Sequence, residues 1–383
     1  MGRQQLRIRV SPAGLLEVVD PGFDCLDLIR AVDPEFRIRR QALPTTTEPK
    51  FLSARRRRVG CFPDELRQMS REALVSLHTR VMAAMLDVGQ GASLLDLKIE
   101  IADRYIRSCV LCGHRCGVNR TRGETGICGL GPEATVAEHF VHIAEESPIN
   151  PSLLVSLAGC GLRCRYCQQW KLLSPSKVPG NPLEPALWRS LDVDGARSLS
   201  FAGGNLDESL FAVLRFLREA PEDWRLPVVW NNHAYSTPEA LDLLEGVVDA
   251  YLPDLKYGNN ECGLRWSGVP AYSDVAGQAI AQMLRQNVPV IVRVLVLPGH
   301  VVCCHVPALR RLAESATNDL KLSIRGQYCR DWKINQTEGA MSARPQLEEV
   351  EAVRVEALRL GLEVLDEAIG LGPTTQQEVA FSV

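Results

Sequence analysis

The sequence of 383 residues lacks apolar runs of membrane-spanning length, and even the apolar stretch 288–297 is interrupted by Arg293. Because a membrane helix needs about 20 apolar residues in a row, no such helix is expected. The first ten residues, MGRQQLRIRV, contain no apolar core of a secretory signal, and Leu6 stands where N-myristoylation requires Ser or Thr. These absences predict a cytoplasmic protein with no membrane partner.

An excess of charge of one sign is also missing, since 43 basic and 46 acidic residues leave a formal net charge of -3. No bulk attraction to nucleic acid follows from that balance, and no nucleic-acid partner is expected. The basic run 55–58 has no interleaved aromatic residues, which favours a solvated turn over a nucleic-acid contact. The apolar share of 46% excludes wholesale disorder and is ordinary for a globular chain.

Short apolar runs alternate with helical stretches from about residue 150 onward. The runs predict buried parallel strands at 153–158, 198–202, 228–231, 250–255, 290–297 and 320–324. Helices are predicted at 208–218, 238–244, 275–286 and 307–315. The predicted fold class is α/β, with a partial (β/α)6 TIM-like barrel favoured over a doubly wound sheet. In such a barrel the chemistry lies at the carboxyl ends of the strands.

Four regions are predicted along the chain. Residues 1–108 form an N-terminal region of unknown role, in which apolar residues at helical spacing predict helices over 63–107. Residues 109–150 form a small Cys-rich metal module, 151–368 the barrel and 369–383 a tail.

Cysteine is abundant, with 13 residues, and in a reducing compartment this number favours metal ligation or redox chemistry over disulfides. The first predicted barrel strand ends in AGCGLRCRYCQQW, which places Cys160, Cys164 and Cys167 at C-x3-C-x2-C spacing. Three thiolates this close can hold three irons of a 4Fe-4S cluster and leave one iron open. A zinc knuckle or three unrelated thiols is the alternative, although structural zinc usually takes four ligands.

This loop, at the end of the first strand of a βα repeat, resembles that of the radical S-adenosylmethionine (SAM) superfamily. The resemblance implies an oxidoreductase-type enzyme whose open iron binds the amino and carboxylate groups of SAM. It implies reductive cleavage of SAM to methionine and a 5′-deoxyadenosyl radical that abstracts hydrogen from a substrate. It also implies an external one-electron donor of flavodoxin or ferredoxin type.

Residues at the ends of later strands are the predicted SAM contacts: Gly203, Gly204, Asn232, Asp254, Lys256 and Arg293. The two glycines resemble the Gly-Gly-Glu turn of the superfamily, with Asn205 in place of the usual Glu. The three charged residues lie in largely apolar strands and need partners. An internal ion-pair network that only stabilises the fold is the alternative to SAM binding.

The stretch from Cys109 to about Trp332 resembles the branch of pyruvate formate-lyase activating-enzyme-like proteins. The motifs that carry this resemblance are CVLCGHRCGVNR, GETGICG, AGCGLRCRYCQQW, VVWNNHAY, YLPDLKYG and VLVLPGH. The resemblance implies a glycyl radical enzyme as the activated partner. Radical rearrangement or oxidation of a small molecule or peptide, and a non-catalytic iron–sulfur or zinc protein, are the alternatives.

A second cysteine set precedes the barrel at C-x2-C-x3-C-x11-C spacing: Cys109, Cys112, Cys116 and Cys128. The glycine-rich stretch between them cannot bury much apolar surface, so a second metal site is predicted. Zinc, a second iron–sulfur cluster and reduced thiols all stay open as its state. Three later cysteines, Cys303, Cys304 and Cys329, are interpreted as buried, inert thiols, which are commoner than the alternative that Cys304 or Cys329 donates or quenches a radical.

Overall fold

The structure, a computed structural model, describes residues 6–10, 16–18, 48–84, 89–330, 332–336, 339–365 and 378–381. Strands β1 (Leu6–Val10) and β2 (Leu16–Val18) form a small antiparallel sheet with the terminal strand β11 (Glu378–Phe381). Strand β1 is central in this sheet and pairs with both of the others. The described part of the predicted tail is therefore a strand.

Among the described residues, four helices precede the barrel: α1 (Lys50–Arg56), α2 (Pro63–Gln68), α3 (Arg71–Ala84) and α4 (Leu94–Ile106). Helix α4 begins at a capping box, in which the Ser93 hydroxyl accepts from the Asp96 N–H at 3.0 Å. Its apolar residues, among them Leu95, Leu97 and Ile101, are buried. The helical prediction for 63–107 is confirmed for these described residues.

One charged residue, Lys98, is completely buried in this helical layer. Its ammonium donates to Nε2 of His78 at 2.8 Å and to the Asp242 carbonyl at 3.0 Å. Burial lowers the pKa of Lys98 to about 7 and the pKa of His78 to about 2. The layer therefore contains a lysine whose folded environment favours the neutral amine.

We expect the stability of the protein to rise with pH because of Lys98. Between pH 7 and the ordinary lysine pKa of about 10.4, the unfolded chain binds a proton that the folded chain does not, so the free energy of unfolding increases with pH. Lys98→Met should flatten this increase, as measured by urea unfolding at about pH 7 and about pH 9. Lys171→Met, at an exposed position, is the control. An unchanged pH slope in Lys98→Met would contradict the expectation.

The main sheet has eight strands in the order β10-β9-β8-β7-β6-β4-β3-β5. The strands are β3 (Thr135–His142), β4 (Ser152–Leu157), β5 (Asn181–Pro182), β6 (Ser198–Gly203), β7 (Val228–Asn232), β8 (Ala250–Pro253), β9 (Val290–Leu295) and β10 (Leu320–Arg325). The six predicted strands, β4 and β6–β10, run parallel. Strand β3, from the predicted Cys-rich module, adds antiparallel to β4 and was not predicted. Because the sheet is open at β10 and β5, the partial barrel is confirmed.

The later helices are α5 (Leu210–Arg218), α6 (Pro238–Leu244), α7 (Asn260–Ser267), α8 (Tyr272–Leu284), α9 (Val306–Glu314) and α10 (Leu347–Arg359). Helix α6 starts where predicted, because Thr237 caps it and Pro238 occupies its first turn. Helix α7 was not predicted. None of the helices in the described ranges combines the length and the apolar character that crossing a membrane requires.

Candidate functional site

The loop after β4 carries the three predicted cluster ligands, Cys160, Cys164 and Cys167, called here the triad. Gly159 opens this loop with a φ of 97°, a left-handed conformation that favours glycine. Farther on, the N–H of Arg163 donates to the Ser267 carbonyl at 2.8 Å, and the N–H of Arg165 donates to the Trp266 carbonyl at 2.8 Å. The triad loop is thus attached to the last turn of α7.

A cavity of about 240 Å³ opens beside the triad at the carboxyl ends of the parallel strands. Its walls contain the triad and five of the six predicted SAM contacts: Gly203, Gly204, Asp254, Lys256 and Arg293. In the part of the chain that the structure describes, the triad is not among the sets whose ligand atoms all lie within 4.8 Å of one another. Three thiolates on one loop, all in the wall of this cavity, are a donor set that can hold three irons of a 4Fe-4S cluster and leave the fourth iron open.

Gly203 and Gly204, at the end of β6, lie against the triad loop. A Cβ atom on Gly204 would lie 1.7 Å from the carbonyl oxygen of Gly159. A Cβ atom on Gly203 would lie 2.2 Å from the carbonyl oxygen of Leu157. Because these obstacles are backbone atoms that cannot rotate away, the close approach requires glycine at both positions.

Asn232 is placed differently from the prediction. Its amide donates to the Asp207 carboxylate at 3.0 Å and to the Ser236 hydroxyl at 2.9 Å, and its side chain is completely buried. Its neighbour Asn231 lines the cavity instead. Successive residues of a strand face opposite sides of the sheet, so Asn231 faces the cavity whereas Asn232, one residue later, faces the buried Asp207 and Ser236.

Asn205 and Glu208, just after β6, form a buried polar link behind the triad loop. The Asn205 amide oxygen accepts from the His233 N–H at 3.2 Å, and its amide nitrogen lies 3.4 Å from the Glu208 carboxylate. Glu208 in turn accepts from the N–H of Gly161, inside the triad loop, at 2.7 Å. Burial raises the pKa of Glu208 to about 7. Asn205 therefore takes part in holding the loop.

Asp254 and Lys256 form an ion pair of 2.9 Å in the cavity wall. Nδ1 of His233 lies 3.1 Å from the Asp254 carboxylate, and Arg293 lies 3.7 Å from it. Burial alone would raise the pKa of Asp254, but the charges of Lys256 and Arg293 and the His233 hydrogen bond outweigh it and hold the pKa well below its usual range. Asp254, Lys256 and Arg293 are therefore ionised, and both basic groups are paired with Asp254.

Two glutamates that the sequence analysis missed complete this network. Arg293 donates to Glu146 at 2.6 and 2.8 Å and to Glu145 at 2.8 Å. Arg325, at the end of β10, contacts Glu146 at 3.0 Å. Glu146 is completely buried, and although burial opposes ionisation, the two arginines hold its pKa below the usual range. Arg293 therefore takes part in a buried ion-pair network and also lines the cavity.

A chain of hydroxyl groups leads from the barrel interior to the triad. The Tyr166 and Tyr257 hydroxyls lie 2.8 Å apart, and Tyr257 lies 2.6 Å from the Ser267 hydroxyl. Ser267 donates to the sulfur of Cys164 at 2.9 Å. Burial raises the pKa of both tyrosines well above the usual value. A hydroxyl donor aimed at a ligand sulfur is one of the features that set the potential of an iron–sulfur cluster.

The upstream cysteines lie directly behind the triad loop. His114 contacts the Gly161 carbonyl at 3.0 Å, and Arg120, which is buried, donates to the Glu208 carbonyl and lies 3.5 Å from the sulfur of Cys128. Within the described ranges these four cysteines do not form a set whose sulfur atoms all lie within 4.8 Å. A metal at Cys109, Cys112, Cys116 and Cys128 stays a prediction.

A wider groove of about 700 Å³ adjoins the cavity and shares Gln169, Leu172 and Leu173 with it. Its walls are aromatic and basic, and they include Arg163, Trp170, Lys171, Lys177, Trp332 and Lys333. The Lys333 ammonium lies 4.4 Å from the centre of the Trp332 ring. The groove therefore adjoins the cavity and has four basic side chains and the carboxylate of Glu138 in its walls.

Comparisons with known proteins add one family relationship. The chain is 35% identical over 252 residues to the uncharacterized protein MJ0674 of Methanocaldococcus jannaschii, across 64% of this chain and 72% of that protein. No family model matches the chain.

Solved structures with related topology include a domain of pyruvate-formate lyase-activating enzyme from Bacteroides vulgatus, with a TM-score of 0.34, 13% identity and coverage of 44% of this chain and 96% of that one. SuiB of Streptococcus suis bound to S-adenosylmethionine has a TM-score of 0.37 and 12% identity, and the match covers 54% of this chain and 47% of that one. QueE of Escherichia coli has a TM-score of 0.33 and 13% identity, and the match covers 61% of this chain and 92% of that one.

The open parallel barrel carries a C-x3-C-x2-C loop at the end of its first parallel strand, which is the arrangement that the resemblance to the radical SAM superfamily implied. Its cavity brings the loop together with the glycine turn of the second parallel strand, as the resemblance implied. The chain belongs to the family of the Methanocaldococcus jannaschii protein MJ0674.

Proposed function

We propose that the protein is a radical SAM enzyme that cleaves SAM reductively to initiate hydrogen abstraction. The observation that carries this proposal is the convergence of three thiolates, a glycine turn and a charged pair, Asp254–Lys256, on one cavity. The triad would hold a 4Fe-4S cluster, which when bound supplies the electron that splits SAM into methionine and a 5′-deoxyadenosyl radical.

The charges of the cavity suit a zwitterionic ligand. Asp254 and Glu145 in the cavity walls, and the buried Glu146 behind them, are matched by three basic groups, Lys256, Arg293 and Arg325. A ligand with a large net charge would upset this balance, whereas the amino and carboxylate groups of the methionine end would not. Lys256 is placed to bind the carboxylate, and Asp254 to bind the ammonium group or a ribose hydroxyl.

The groove supports a polypeptide as the substrate. The groove has a volume of about 700 Å³ and adjoins the cavity, which gives an extended segment room beside the triad. We therefore favour activation of a glycyl radical enzyme, by hydrogen abstraction from a glycine, over rearrangement of a small molecule. A one-electron donor of flavodoxin or ferredoxin type and a cytoplasmic location belong to the same proposal.

The experiment is an anaerobic incubation of the reduced full chain with SAM and a glycyl radical enzyme from the same organism. We expect 5′-deoxyadenosine together with a glycyl radical signal on the partner in electron paramagnetic resonance. Formation of 5′-deoxyadenosine without a protein radical would favour the small-molecule alternative. No 5′-deoxyadenosine under any reducing condition would contradict the proposal itself.

We expect Asp254→Asn to weaken SAM binding by about tenfold or more, because hydrogen bonds to charged groups contribute about 1.5–3 kcal/mol. Calorimetric SAM titration beside a thermal melt measures this effect. Asp249→Asn is the matched control, since Asp249 is a buried carboxylate at the opposite end of β8 that accepts from the Val228 N–H at 2.7 Å. Normal SAM affinity in Asp254→Asn together with a sharply lower melting temperature would make Asp254 structural.

A further inference from the structure

A third group of cysteines, which neither the sequence analysis nor the proposed function uses, converges at the same edge of the barrel. The sulfur atoms of Cys262, Cys303 and Cys304 all lie within 4.8 Å of one another. Cys262 is in the first turn of α7, and the other two lie in a π-helical turn, Val301–His305, that follows β9. The interpretation of Cys303 as a buried thiol is wrong, because Cys303 is exposed.

The backbone around Cys262, Cys303 and Cys304, called here the cysteine trio, brings two loops into unusually close contact. Gly258 precedes α7, and a Cβ atom on it would lie 2.0 Å from the Cys304 carbonyl oxygen. The wide π-helical turn presents the two adjacent cysteines to the start of α7, and such turns frequently mark functional sites. The convergence of the three sulfur atoms is therefore built by two elements that are far apart in sequence.

Asn259, the N-cap residue of α7, is directed at the same sulfur atoms. Its amide nitrogen lies 3.3 Å from the sulfur of Cys304, 3.4 Å from that of Cys262 and 2.6 Å from the Cys303 carbonyl oxygen. Amide donors directed at sulfur are typical of the groups that orient metal-bound thiolates. The start of α7 also favours negative charge on Cys262 through the helix dipole.

From this geometry we propose that Cys262, Cys303 and Cys304 form a zinc site, with three thiolate ligands and a fourth position open to water. Tetrahedral zinc holds sulfur ligands about 3.8 Å apart, which the trio reaches with small side-chain adjustments. The exposure of Cys303 gives water access to the fourth position. A complex of Zn²⁺ with three thiolates has a net charge of -1, whereas a complex of Cu⁺ has a net charge of -2. The neighbouring Asn259 is neutral and cannot compensate the larger charge, which favours zinc.

The position of the trio gives this zinc ion a structural consequence. Cys262 and Ser267 lie on one helix, about 7.5 Å apart along its axis at 1.5 Å per residue. Ser267 donates to the sulfur of Cys164 and accepts from the Arg163 N–H. Zinc at the trio would therefore hold the start of the helix whose end holds the triad loop.

The test compares the metal content and thermal stability of the anaerobically purified full chain with those of two variants, Cys262→Ser and Cys303→Ser. We expect the wild type to bind one more equivalent of zinc than either variant, with iron content unchanged. Cobalt added to metal-depleted protein should give a thiolate charge-transfer absorption that is weaker in both variants. A chelator should lower the melting temperature of the wild type more than that of Cys303→Ser.

Cys61→Ser is the matched control, because Cys61 is a half-buried cysteine outside all three cysteine groups. Its zinc content should equal that of the wild type. Equal zinc content in all four proteins would overturn the proposal, as would a disulfide within the trio found by mass spectrometry. Preferential loading with Cu⁺ in competition with Zn²⁺ would overturn the choice of metal. None of these readouts depends on SAM cleavage, so the zinc site and the proposed function can fail separately.

Discussion

Cys164→Ala is expected to reduce 5′-deoxyadenosine formation to the level of a protein-free control. Cys164 is a buried member of the triad, and its sulfur accepts from the Ser267 hydroxyl at 2.9 Å. Two remaining thiolates cannot supply the three ligands that leave one iron open to SAM. Chromatographic quantification of 5′-deoxyadenosine after anaerobic incubation with SAM and a reductant measures the loss.

Two controls separate this loss from a general defect of the protein. Cys61→Ala removes a half-buried cysteine of the N-terminal region and should leave the yield of 5′-deoxyadenosine unchanged. A thermal melt shows whether the Cys164→Ala chain is still folded. Equal yields from Cys164→Ala and the wild type would show that the triad does not hold the cluster.

Glu146→Gln is expected to lower the free energy of unfolding by about 3–5 kcal/mol, the typical cost of removing one partner of a buried ion pair. The change deletes the charge that faces Arg293 at 2.6 Å and Arg325 at 3.0 Å, and Glu146 is completely buried. Because the folded pKa of Glu146 is below its usual value, this stabilisation is present at neutral pH and is lost only as the pH falls toward that low pKa.

Urea unfolding at neutral pH measures the effect, and Glu133→Gln is the control. Glu133 pairs with Arg215 at 2.9 Å on the surface, with a side chain that is 62% exposed, so its removal should cost at most about 1 kcal/mol. If the two variants lose equal stability, the buried network contributes no more than a surface pair.

The sequence was sufficient to predict the parallel strands because buried parallel strands read as continuous apolar runs. Helix α6 was predicted with its correct bounds, since its cap, Thr237, and its first-turn Pro238 are visible in the sequence. Strand β3 was missed because it joins the sheet antiparallel, with several exposed residues and no apolar run. Helix α7 was missed because its eight residues are too short to establish a period.

The site shows the same division between local and long-range information. Asp254, Lys256 and Arg293 could be identified because a charge inside an apolar strand is conspicuous wherever the strand lies. Glu145 and Glu146 could not, because they precede β4 in a turn and meet Arg293 across about 147 residues of sequence. The trio of Cys262, Cys303 and Cys304 was missed for the same reason, since only the fold brings α7 against the π-helical turn.

The contact between Gly204 and Gly159 restricts how this protein can diverge. With 1.7 Å between a hypothetical Cβ atom and the Gly159 oxygen, no side chain can enter at position 204 unless the triad loop moves. Substitutions in the turn at Gly204 and in the triad loop are therefore coupled, because a side chain added at position 204 would displace the loop that carries the thiolates. If the groove holds the substrate as proposed, a change of substrate would alter instead residues such as Trp170 and Lys171, which line the groove and are not part of that contact.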